Sequence, residues 1–153
     1  MRAVEAAGEG GVELAVNFVL STMSAHWASA TDAQETQRPT KLVCLVRRDL
    51  GMGTGKIAAQ VAHGVLAAYR SGMRSPELLA AWEAGGEPTI VLSVADQAEL
   101  ERLLSTAQER GLTTSLVADA GRTEVAPGSQ TVGCIGPAEV HQIDPITGHL
   151  SLL

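Results

Sequence analysis

Leu42-Val43-Cys44-Leu45-Val46-Arg47-Arg48-Asp49-Leu50-Gly51-Met52-Gly53-Thr54-Gly55-Lys56-Ile57-Ala58-Ala59-Gln60-Val61-Ala62-His63-Gly64 is the stretch on which the fold turns. Five apolar residues in a row read as a strand buried on both faces. Two arginines follow, then glycines at positions 51, 53 and 55, then Lys56 opening an alanine-rich helix. Glycines ahead of a helix let the backbone aim its free N–H groups at an anion. The helix dipole adds partial positive charge at the same place. Arg47, Arg48 and Lys56 add full charges, and Gly53 and Gly55 become candidate anion contacts. Read alone, the turn is equally a tight strand-to-helix connection with solvated charges.

Nucleotide templates do not fit it. A P-loop needs Gly, four residues, then Gly-Lys-Ser/Thr. Leu50 stands where the first Gly belongs, and Ile57 where the hydroxyl belongs. The dinucleotide pattern fails as well, because position 56 is Lys where its third Gly should be.

Working outward, the rest of residues 41–153 reads as one α/β domain. Strand one covers about 41–47 and helix one about 55–71. A second helix opens at Ser75-Pro76, an N-cap followed by Pro at the first helical position, and stops at Gly85-Gly86. Thr89–Val94 is the second strand. Asp96 with Glu99 three residues on gives a capping-box start to the third helix, whose apolar face is Leu100, Leu103, Leu104 and Ala107. Strand three falls at about 113–118 and strand four at about 131–135. Pro137 then favours a short helical turn. Alternating strands and helices imply a largely parallel sheet covered on both faces, with ligands at the carboxyl ends of its strands.

The chain has 153 residues, 45% of them hydrophobic and 3% aromatic, which suits one domain with a Val, Leu, Ile and Ala core. So few rings argue against binding single-stranded nucleic acid by base stacking. A net charge of −6 does not suggest a nucleic-acid binder. Residues 41–56, however, hold Lys41, Arg47, Arg48 and Lys56 against Asp49 alone. Such a local basic patch can steer a polyanion. Cys44 and Cys134 each lie in an apolar run and read as buried free thiols of a reducing compartment. No metal-ligand spacing occurs, so no metal is expected. Neither a membrane span nor a leader is apparent, and the expected compartment is the cytoplasm.

Lys56, Gln60 and His63 share one stripe of helix one, beside an apolar stripe of Ile57, Val61, Val65 and Ala68. A solvent-facing stripe accounts for Gln60 more readily than function does, and the two explanations balance for His63. Lys56 differs. A cation in the first helical turn opposes the dipole, and a charge in a locally disfavoured place points to function. Asp119, in the loop Asp119-Ala120-Gly121-Arg122-Thr123, leaves a strand on the functional edge and could meet Lys56 across the crevice. An Asx-turn explains it as well. Thr131 opens strand four, where Thr is common for packing alone. There is no nucleophile elbow, so water activated by Lys56, Asp119 and a hydroxyl suits the set better than acyl-enzyme chemistry.

Upstream, Val12, Ala15, Val16, Val19 and Leu20 follow helical spacing within residues 1–24. The run from Ala7 to Leu20 resembles the last two helices of a ubiquitin-associated domain. Its first helix is lacking here, so ubiquitin binding is expected only of a longer chain. Residues 25–40 are polar and read as a flexible linker.

Lys41–Val46, Arg47-Arg48-Asp49-Leu50, Gly51 to His63, Asp119 to Thr123, Ala126-Pro127-Gly128 and Thr147-Gly148-His149-Leu150 together resemble the type II peptidyl-tRNA hydrolases of archaea and eukaryotes. The resemblance spans essentially all of 41–153. It implies hydrolysis of the ester joining a peptide to the 3′ ribose of tRNA. It implies a three-layer α/β/α fold with a four-stranded mixed sheet of order 2-1-4-3, strand four antiparallel. It also implies a homodimer needing no metal or cofactor. The residues it points to are Lys56, Asp119, Thr123 and Thr131 for catalysis. Arg47, Arg48, Gly53, Gly55, Gln60, His63 and Arg122 are expected on the substrate. Thr54 departs from the pattern, since many members carry Lys there. The alternative is a non-catalytic adaptor that uses the domain as a scaffold.

Overall fold

A computed structural model describes residues 38–121 and 124–153. The helices expected within 1–24, nearly all of the expected linker, and Arg122 and Thr123 lie outside the described residues. The chain enters at Arg38, which pairs with Glu139, and at Pro39, whose carbonyl accepts from the Val140 N–H at 2.9 Å.

The elements are β1 (Thr40–Arg47), α1 (Thr54–Gly72), α2 (Pro76–Ala84), β2 (Thr89–Val94), α3 (Gln97–Glu109), β3 (Thr114–Ala118), β4 (Gln130–Glu139) and α4 (Val140–Thr147). The strands form one mixed sheet in the order β2-β1-β4-β3. β1 runs parallel to β2, with Cys44 opposite Val91, while β4 is antiparallel to both β1 and β3. This is the arrangement that the resemblance implied.

β1 lies between β2 and β4, and helices cover both faces of the sheet there, which explains its unbroken apolar run. Leu42, Cys44 and Val46 face α1 and α2, meeting Ile57, Val61, Val65, Ala68, Leu79 and Trp82. Val43 and Leu45 face α3 and α4, meeting Leu100, Leu103, Leu104, Ile143 and Ile146. The sheet is therefore the middle of three layers. Two glycines let helices come close to it. A methyl group added at Gly64 of α1 would stand 2.8 Å from Cys134 Sγ, and one at Gly133 of β4 would stand 2.8 Å from a Leu100 methyl.

At the α3 cap Asp96 Oδ1 accepts from the Glu99 N–H at 2.9 Å, as the sequence predicted, while Glu99 reaches back one residue further than a capping box requires, to the Ala95 N–H at 2.6 Å. Strand four is longer than expected. It continues through Pro137 to Glu139, and the last helix starts only at Val140. Proline survives there because the β1–β4 register shifts between Lys41 and Val43, so no ladder donor is demanded of it.

Candidate active site

Four side chains from three elements meet where β1 hands over to α1. Lys56 and Gln60, one turn apart on α1, point to the same place, while the next stripe of the helix packs on the sheet. Asp119 follows β3. Thr131 lies at the start of β4. The Lys56 ammonium is paired with Asp119 Oδ1, and the Gln60 amide nitrogen donates to the same oxygen at 3.0 Å. Gln60 Oε1 accepts from the Thr131 hydroxyl. Asp119 Oδ2 accepts from the Gly121 N–H at 2.8 Å. The orientation of the Gln60 amide follows from chemistry, since an ionised carboxylate only accepts and a hydroxyl can donate.

All four are withdrawn from solvent. Thr131 is fully buried and Gln60 is 4% exposed, while the side chains of Lys56 and Asp119 are 9% and 7% exposed. Gln60 is therefore not the solvent-facing polar residue that helical spacing favoured. It bridges Thr131 to Asp119, and the hydroxyl reaches the carboxylate only through it.

The direction of Thr131 has a local cause. Along β4, Val132 and Cys134 face α1, while Gly133 faces α3. Strict alternation would send Thr131 toward α3. In the pairing with β3, however, Val117 lies opposite Val132 and Ala118 opposite Gln130, so Thr131 is the extra residue of a bulge. Bulges re-aim side chains, and this one brings the hydroxyl to Gln60.

Asp119 is fixed through its backbone too. Its N–H donates to the Ser129 carbonyl at 2.9 Å and its carbonyl accepts from Gly128 at 2.8 Å, closing the base of the loop. Its carboxyl is held below the ordinary carboxylate range, first by the hydrogen bond from Lys56, then by Gly121 N–H, with Gln60 adding to it. Asp119 is thus ionised across the neutral range. A carboxylate so stabilised orients a partner better than it removes a proton.

A cavity of about 730 Å³ opens beside this cluster. Its walls carry Lys56, Gln60, Asp119, the exposed His63, Gly55 and Glu124. Glu124 has no counterpart among the residues that the sequence nominated. Its Oε2 accepts from the Gly53 N–H at 2.7 Å, so one N–H ahead of α1 meets a carboxylate that the chain itself supplies. The signal was present in α1, whose first turn contains no acidic residue to answer its dipole.

Arg47, expected on the substrate, is turned inward. Its side chain is 9% exposed. Nε donates to Asp49 at 3.0 Å with Nη2 on the other carboxylate oxygen, and Nη1 donates to Gln97 at 3.2 Å and to the Gln130 carbonyl at 3.0 Å. Asp49 keeps that guanidinium charged and is itself held below its ordinary range by it. Arg47 ties the end of β1 to α3 and β4, leaving Arg48 as the exposed cation of the pair. Among the described residues, no three His, Cys, Asp or Glu side chains converge as metal ligands, and no helix is long and apolar enough to cross a membrane.

A family model described as peptidyl-tRNA hydrolase PTH2 matches residues 40–153. The chain belongs to this family. Among its relatives, the human and bovine proteins named "Peptidyl-tRNA hydrolase 2, mitochondrial" are each 50% identical over 113 residues, covering 73% of this chain and 63% of theirs. The "Peptidyl-tRNA hydrolase" of Methanocaldococcus jannaschii is 40% identical over 114 residues, covering 74% of this chain and 99% of the archaeal protein. The chain thus spans less than two thirds of the length of the mammalian relatives it matches. The family match covers all but the first two residues of the compact unit Arg38–Leu153. The four-residue cluster lies wholly inside that shared part.

An acid titration reports on how Asp119 is held. Its carboxyl is lowered by folding, so its contribution to stability is complete above the ordinary carboxylate range of about pH 4 and disappears as pH falls through the lower, folded value. The stability gap between parent and Asp119→Asn, measured by urea unfolding at stepped pH, is expected to stay level above about pH 5 and to close below about pH 4.

Proposed function

We propose that this chain hydrolyses the ester between a peptide and the 3′ ribose of tRNA, releasing free tRNA and peptide. The observation that carries this reading is the buried chain Thr131–Gln60–Asp119–Lys56 at the edge of an open cavity. Asp119 Oδ2 holds the attacking water. Lys56 faces the ester carbonyl and stabilises the oxyanion as the tetrahedral carbon forms. The water's proton passes to the departing 3′ oxygen as the ester C–O bond breaks, while Asp119 stays ionised and orients the water. Thr131 and Gln60 keep the carboxylate in one orientation. Gly55, His63 and Arg122 are assigned to the substrate and Thr123 to catalysis in this scheme.

The reaction is proposed to need no metal. Release of an N-blocked amino acid from its tRNA is expected to proceed unchanged in EDTA, followed by acid-precipitable counts. Loss of release in EDTA would remove the metal-free scheme, and no release under any condition would remove the hydrolase itself. The adaptor alternative has no feature of the described residues in its favour.

The exposed Arg48 is the proposed phosphate contact, giving affinity rather than base readout. Arg48→Ala should raise KM with kcat held and reduce the slope of log affinity against log salt by about one. Arg47→Ala should instead lower the unfolding midpoint, because Asp49, Gln97 and the Gln130 carbonyl lose their partner. Equal effects of the two on tRNA affinity would contradict this division. A homodimer is proposed as the working state, to be checked by light scattering. The cytoplasm remains the proposed site of action. Imaging of the complete gene product tests it against the mitochondrial designation of the mammalian relatives.

A further inference from the structure

The sheet contains a second reactive pair, remote from any role in hydrolysis. Cys44 of β1 and Cys134 of β4 lie directly opposite each other in the antiparallel register. Their sulfurs are 3.3 Å apart, both residues are fully buried, and both thiols are free. They are the only cysteines in the chain. Opposed residues of an antiparallel pair have Cα atoms about 4.5–5.5 Å apart, within the roughly 4.4–6.8 Å that a disulfide accepts. Bringing the sulfurs from 3.3 Å to a bond of about 2.05 Å takes a movement of only about 1.3 Å, shared between two side chains.

We propose that Cys44 and Cys134 are an oxidisable dithiol, closed by peroxide into an intrachain disulfide that staples β1 to β4 at the centre of the sheet and reopened by dithiol reductants. The chemistry balances with hydrogen peroxide as the oxidant. The Cys44 sulfur attacks one peroxide oxygen, the O–O bond breaks, and the departing hydroxide leaves as water, giving a sulfenic acid. The Cys134 sulfur then attacks the Cys44 sulfur, the S–O bond breaks, and a second water departs with the Cys134 proton. Two thiols are oxidised by two electrons in total, and one peroxide is reduced to two waters.

The environment supports this order of events. The hydrogen bond from the Cys134 thiol lowers Cys44 and, together with burial, raises Cys134, so Cys44 is the more readily ionised of the two. Cys134 sits beneath Gly64, where α1 comes close to the sheet. Peroxide, scarcely larger than water, enters when α1 lifts there in a local opening. The sulfur movement is small beside a side chain and leaves Lys56, two turns away on α1, where it is. The inference stands apart from the hydrolytic reading, since the hydrogen bond between the two sulfurs involves none of Lys56, Gln60, Asp119 and Thr131.

The test is thiol counting and peptide mapping on the full chain after peroxide treatment. Titration under denaturing conditions should fall from two thiols to none. Trypsin should release residues 42–47 joined to residues 123–153, which separate on reduction. The thermal midpoint should rise by about 5–15 °C and fall back with dithiothreitol. Cys44→Ser should retain one thiol and show no rise. Should that variant fail to fold, the linked peptide from the parent chain still decides. Two thiols persisting, oxygen adducts without a link, a link only between chains, or an unchanged midpoint would each overturn the proposal.

Discussion

Lys56→Ala is expected to lower turnover on an N-blocked aminoacyl-tRNA by about 10²–10³, equivalent to about 2.7–4 kcal/mol of transition-state stabilisation. Two losses combine in that figure. The oxyanion loses its cationic donor in a site where Lys56 is only 9% exposed, so water is a poor replacement. Asp119 also loses the largest influence that keeps its carboxyl low, leaving Gly121 and Gln60 to hold it. The acid limb of the rate profile should therefore move to higher pH in the variant. Single-turnover hydrolysis at saturating enzyme measures both effects. An unchanged rate would take Lys56 out of the reaction. An unchanged acid limb with a reduced rate would mean that Asp119 does not set it.

Leu100→Ala should cost about 2–5 kcal/mol of stability. Leu100 is fully buried on α3 and fills the space left open by Gly133, a residue with no side chain to take up the slack. Its neighbours Leu103 and Leu104 are fixed on the same helix and Ile143 on α4, so the hole cannot close cheaply. Because α3 covers the face of the sheet away from α1, the cluster at Lys56 should keep its geometry. Urea unfolding should show the full loss, while turnover below the transition stays near that of the parent. A matching loss of turnover would mean that the two faces of the sheet are coupled.

The unequal legibility of the sequence has physical causes. Elements with a strong local signature were readable within a residue or two: the apolar run of β1, the Ser75-Pro76 start of α2, and the Asp96 cap of α3. The end of β4 was not, because what allows Pro137 inside a strand is a register shift, a property of two strands rather than one. The site divides in the same way. Lys56 stood out because its place in the first turn conflicts with the helix dipole. Thr131 could not stand out, since its direction depends on a bulge against β3. Gln60 looked like part of a wet helix face until Asp119, 59 residues later, arrived to cover it. Arg47 and Arg48 are identical in type and adjacent, yet only one faces solvent, and Asp49 together with the Gln97 and Gln130 acceptors decides which.

The grip on Asp119 has a stereochemical consequence. A carboxylate offers about four lone-pair directions. Lys56 and Gln60 take both of those on Oδ1, and Gly121 takes one on Oδ2. One direction is left, on a group that cannot spin. Water bound there would always arrive from the same side, while Lys56 on α1 fixes where the carbonyl oxygen must point. Attack would then fall on a single prochiral face of the ester, so the handedness of the tetrahedral carbon would be dictated by the fold and not by the peptide that happens to be attached.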